Sequence, residues 1–187
     1  PGSSGYATEN CSAFRGEQAV FPFPKWISPM AAIMSSKRSD VLCGSDGALC
    51  REATADAWAV TRKAAEDWYD RSDDCSFTTF HAYEYTYAPD ANRVHRNVIF
   101  RNEVVPELPI STADEAEPEG LWRRLKSLCL DTAGDCDVLA IPHNPNHASG
   151  YMFPLSDPSE PLAVRQERAQ LRAGMEPLVE MMQIKGE

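Results

Sequence analysis

The stretch from Phe77 to Arg101 constrains the fold most. Phe77-Thr-Thr-Phe-His-Ala-Tyr-Glu-Tyr-Thr-Tyr87 is rich in aromatic and β-branched residues, which predicts a strand. Pro89-Asp-Ala-Asn92 makes a hairpin-like turn, and His95–Arg101 is the second strand. Side chains alternate across a strand, so Thr78, Phe80, Ala82 and Glu84 share one face and His81 lies on the other.

Around this pair the chain alternates between strand and helix signals. Residues 54–70 predict a helix with Thr54 as its cap, Asp56 in its first turn, and Trp58, Thr61, Ala65 and Trp68 on one face. Pro118 opens another, with Leu121, Leu125 and Leu128 as its buried stripe. Val138-Leu-Ala-Ile-Pro142 is short and wholly apolar, the pattern of a buried strand. Residues 161–173 predict a helix and Leu178–Ile184 a further strand, while the acidic, proline-containing 103–117 reads as a loop. Trp58, Trp68 and Trp122 are read as helix-packing residues.

Buried strands alternating with helices predict an α/β fold with a mostly parallel sheet or barrel over residues 54–187. Functional groups in such folds gather where strands end. Residues 1–53 read as an irregular loop or insertion. Phe21-Pro-Phe-Pro24 and Ser28-Pro29 block regular structure, because proline removes a donor and restricts its predecessor. Pro1-Gly-Ser-Ser-Gly5 reads as a cut or tag-derived start.

The formal net charge of −10 argues against bulk attraction to nucleic acid or anionic lipid. No apolar run approaches the roughly 20 residues of a membrane helix. Six cysteines form an even set. Cys43 and Cys50, and likewise Cys129 and Cys136, each enclose six residues with Gly/Asp turn chemistry, too widely spaced for a zinc clip. The reading is two local disulfides, with Cys11 and Cys75 as a third pair, and hence a periplasmic or secreted protein. Free thiols in a cytosolic protein are the alternative.

All four histidines fall between positions 81 and 147. His95 starts one strand, His143 follows another, and Glu84 lies near the end of its own. Two neutral imidazoles and a carboxylate are donors that zinc, manganese or iron accept. On pattern alone, a surface glutamate and satisfied polar histidines are the favoured explanation. Asn144 and Asn146 are candidates to orient substrate or support a ligand histidine, against ordinary loop capping. Arg96 and Arg101 are candidates to clamp a phosphate, against surface ion pairing. His147 is a candidate substrate contact, and His81 is read as structural.

Five segments together resemble one bacterial family. They are Tyr83-Glu84-Tyr85-Thr86, His95-Arg-Asn-Val-Ile-Phe-Arg101, Ala140-Ile-Pro-His-Asn-Pro-Asn146 with Ser149-Gly150, Glu176-Pro-Leu-Val-Glu180, and Gln183-Ile-Lys-Gly186. The family is domain-of-unknown-function family 3604, within the PHP (polymerase and histidinol phosphatase) superfamily. The resemblance implies part of a distorted (β/α)7 barrel binding two or three divalent transition metals. It implies Glu84, His95 and His143 as metal ligands. The superfamily's His-x-His, Thr-Asp-His and Asp-x-His motifs have no counterpart here, so the chain is expected to be a middle fragment, inactive alone, that needs the remaining parts of its domain. The implied function is metal-dependent hydrolysis of a small-molecule substrate by a metal-activated water, with a phosphoester as the expected substrate class. The rival is a disulfide-braced extracellular binding or structural domain with a vestigial metal site.

Overall fold

A computed structural model describes residue 38, residues 40–145 and residues 147–184. Most of the N-terminal segment, Cys11 and Asn146 lie outside the described residues. Within them the chain is mixed α/β: α1 (Asp40–Cys43), α2 (Ala48–Trp68), β1 (His81–Tyr87), β2 (Val94–Phe100), α3 (Pro118–Leu125), β3 (Val138–Pro142) and α4 (Leu162–Met175). A short 3-10 turn, Pro89–Ala91, joins β1 to β2 as the hairpin-like sequence predicts.

The three strands form one open sheet in the order β1-β2-β3, and both pairings are antiparallel. This corrects the expectation of a mostly parallel sheet. A link as short as residues 88–93 can join only antiparallel neighbours, because a parallel crossover needs a dozen residues or more. No closed barrel is present among the described residues. Leu178–Ile184 is not a strand, although Gln183 makes an isolated bridge. The segment nonetheless lies beside β3, where the Glu180 N–H donates to the Pro142 carbonyl at 3.0 Å.

Helix α2 starts at Ala48, inside the segment read as irregular and ahead of the expected Thr54. Gly47 enters it with a left-handed φ of 73°, and the Asp46 carboxylate accepts the Ala48 N–H at 3.0 Å. Thr54 is therefore interior, and its hydroxyl donates back to the Cys50 carbonyl at 2.7 Å. Trp58 is buried, but Trp68 is 72% exposed, a second correction. At 100° per residue Trp68 stands about 80° round the helix from Trp58 and misses the core.

The core lies on one face of the sheet. Tyr85, Val98, Phe100, Val138 and Ala140 pack against Trp58, Leu121, Trp122, Leu125 and Met175. Trp58 meets Tyr83 edge-on at 6.0 Å, and its indole N–H donates to the Pro106 carbonyl at 3.2 Å. Leu128 is exposed and Cys129 is buried in its place. The turn Lys126–Leu130 is π-helical, and this underwinding carries the apolar stripe one residue on. Cys129–Cys136 and Cys43–Cys50 are both disulfides, with Cα–Cα separations of 5.1 and 4.7 Å, as the spacing predicts. Cys75 is an exposed free thiol, whereas its expected partner Cys11 lies outside the described residues.

Candidate functional site

Strand parity and the hairpin register together assemble the site. Thr86 pairs with His95 and Glu84 with Asn97 across β1 and β2, so all four project from the same face. His143 follows β3, and its N–H donates to the His95 carbonyl at 3.1 Å, which extends the ladder by one step and puts it beside His95. This face is opposite the helices.

The three residues expected to act together are neighbours. Glu84 Oε1 lies 2.9 Å from His95 Nδ1, and the His95 and His143 rings lie 5.5 Å apart, centroid to centroid. The Thr86 hydroxyl donates to Glu84 Oε1 at 3.3 Å and stands 3.2 Å from His95 Nδ1. Thr86 escaped the sequence reading, although its parity with Glu84 and its position across the hairpin from His95 were available. The Glu84 side chain is 47% exposed. An apolar surround for this carboxylate is thus not found, because no described element covers this face.

The loop after β3 is clamped to the hairpin turn. The Arg93 N–H donates to the His147 carbonyl at 2.9 Å, and the Tyr151 hydroxyl donates to Asp90 Oδ2 at 2.7 Å. The His147 side chain is exposed on this loop. Asn144 is buried, its backbone N–H donating to Glu180 Oε2 and its amide to the Met181 carbonyl, each at 3.0 Å. It pins the 178–184 segment beside the site.

The two arginines do not reach this face as a pair. Arg96 points into the core, 1% exposed, where its Nε contacts Glu176 and its Nη2 donates to the Met152 carbonyl at 3.3 Å. Strand alternation puts it on the face opposite His95. Arg101 makes a surface ion pair with Asp137 at 3.7 Å. His81 is structural as expected, buried with its Nε2 2.8 Å from Glu66 Oε1.

Toward the other end of the same face, Phe80, Ile99, Leu139, Ile141 and Leu178 line an apolar depression of about 330 Å³. Among the described residues, no group of three or more His, Cys, Asp or Glu is arranged to hold a metal ion. No described helix is long and apolar enough to cross a membrane.

These features define a mixed α/β protein with a polar carboxylate–histidine cluster on the open face of a small antiparallel sheet. The chain belongs to the family described as protein of unknown function DUF3604, whose model matches residues 21–187. No curated protein and no solved structure matches it.

Proposed function

We propose that the Glu84–His95–His143 cluster is the metal-binding part of a hydrolase site of the PHP type, within a distorted (β/α)7 barrel. The observation that carries this reading is the convergence of a carboxylate and two imidazoles, drawn from three separate chain segments, on the sheet face opposite the helices. The donor chemistry fits a divalent transition metal such as zinc, manganese or iron. A contact between the Glu84 carboxylate and His95 Nδ1 is the kind that orients a ligating histidine. His143 adds a second imidazole, and Thr86 steadies the Glu84 carboxylate. Two or three bound metals would supply Lewis acidity toward a small phosphoester. The Asn144 anchor holds the chain after His143 in place, a supporting role for the site.

The test is elemental analysis of the intact domain that contains these residues, purified without chelators, with turnover of an aryl phosphate, for the parent and for His95→Ala and His143→Ala. Bound transition metal and turnover that fall together in both variants are expected. Metal content at background in the parent protein, loaded or not, would overturn the reading. That result favours a disulfide-braced extracellular binding or structural domain, a reading that rests on the two disulfides.

A further inference from the structure

Two arginine side chains converge over Gly47. A Cβ placed on this glycine would stand 3.1 Å from Arg51 Nη1 and 3.3 Å from Arg38 Cδ. The glycine thus serves twice: its φ of 73° suits the left-handed helix entry, and its missing side chain admits both arms. Arg38 is neutralised by Asp114, with Nη2 2.6 Å from Oδ1. Arg51 donates to the Asp46 carbonyl at 2.8 Å and meets no carboxylate among the described residues. A guanidinium has five N–H donors, so one carbonyl leaves most of its capacity unspent.

Both arginines line a cavity of about 510 Å³, which is within the size range of small-molecule sites. Leu108, Ile110 and Leu128 supply apolar wall, and Arg124 a third guanidinium. The carboxylates in the lining are Glu107 and Asp114, so cations outnumber anions there in a chain of net charge −10. Arg124 is 3.4 Å from Glu115, outside the lining. Glu84, His95 and His143 take no part.

The walls are braced covalently. Arg51 follows Cys50, which is joined to Cys43, and Leu128 precedes Cys129, which is joined to Cys136. Fixed walls lose less freedom when a ligand binds.

We propose that this cavity binds a small organic carboxylate, its head between Arg51 and Arg38 and its short apolar body against Leu108, Ile110 and Leu128. A carboxylate accepts two parallel N–H bonds from a guanidinium fork, which satisfies the Arg51 donors that the Asp46 carbonyl leaves unused.

The probe is hexanoate, titrated into the protein while the arginine Nε–Hε signals are followed by NMR. The Arg51 and Arg38 signals should shift saturably. Hexanamide, the uncharged counterpart, and the Arg51→Gln variant should each bind about tenfold or more weakly, the worth of a hydrogen bond to a charged group. Leu128→Glu, at a position already 44% exposed, should weaken hexanoate similarly by repulsion and serves if Arg51→Gln unfolds. No saturable shift, equal binding of hexanamide, or undiminished hexanoate binding by a folded variant would each overturn the proposal.

Discussion

Arg96 and Glu176, eighty residues apart in sequence, meet in the core with side chains only 1% and 2% exposed. The same Glu176 accepts the Trp122 indole N–H at 3.0 Å and Arg172 Nε at 3.2 Å. This one carboxylate ties β2 to α3 and to the end of α4. Glu176→Gln leaves the buried Arg96 guanidinium without its carboxylate and should lose about 3–5 kcal/mol, whereas Arg96→Met leaves Glu176 its contacts with Arg172 and Trp122 and should lose less. Urea denaturation of both variants and of the double variant checks this. The double variant should fall short of the summed losses, and strict additivity would argue against the pair.

The carboxylate–histidine cluster should be separable from the fold. His95 and His143 lie outside the main core, but the His95 side chain is only 14% exposed and meets Glu84 and Thr86, so His95→Ala should cost about 1 kcal/mol and His143→Ala no more than that. Trp58→Ala, which empties the core and orphans the Pro106 carbonyl, should cost about 3–5 kcal/mol. Thermal melts of the three variants make the comparison, and a large loss in either histidine variant would assign those residues to the core.

Non-reducing peptide mapping should recover the Cys43–Cys50 and Cys129–Cys136 links. Each loop is short, so each bond should contribute about 2–3 kcal/mol, measured as the loss on replacing the pair with serine. Cys75 should react with a maleimide in the native protein, since its thiol is exposed. A Cys75 that stays unlabelled until reduction would indicate that it is paired.

Acid should loosen the attachment of Arg38. Partial burial pushes the Asp114 carboxyl up, but bonds from Ser111 and Arg38 outweigh this and leave it below the usual carboxylate range. A group depressed in the folded state stabilises above its unfolded pKa, and the contribution fades as pH falls through the folded value. The loss therefore belongs below about pH 4. Asp114→Asn should flatten the stability profile there and leave a lower plateau at neutral pH. Denaturation midpoints across the acid range would show whether it does.

The three strands and the hairpin turn were legible in the sequence from aromatic, β-branched and apolar runs, but the antiparallel pairing of β2 with β3 was not. The grouping of Glu84, His95 and His143 was expected from their strand-end positions together with the family resemblance, not from the pattern alone. Other features depended on distant contacts. Arg96 sits next to His95 and carries the same charge as Arg101, and no local signal tells that Glu176 awaits it in the core. Leu128 fits a perfect helical stripe, and only the π turn beyond Leu125 displaces it. Trp68 satisfied its three-and-four spacing, but drift around a long helix carried it out to solvent. Leu178–Ile184 has the composition of a strand, yet it lies beside β3 without full pairing.

The hairpin turn is also a length gauge for the chemistry. Only residues 88–93 separate the two strands. Adding or deleting one residue there while keeping the pairing in phase would roll β2 over, since adjacent side chains point to opposite sides. His95 and Asn97 would be driven among the aromatic rings, and the Arg96 guanidinium would be thrust out toward Glu84. Chain length at this turn therefore decides whether an imidazole or a guanidinium stands beside the carboxylate. Insertions and deletions that the long connections elsewhere can absorb would, at this one point, exchange the site's contents for the core's.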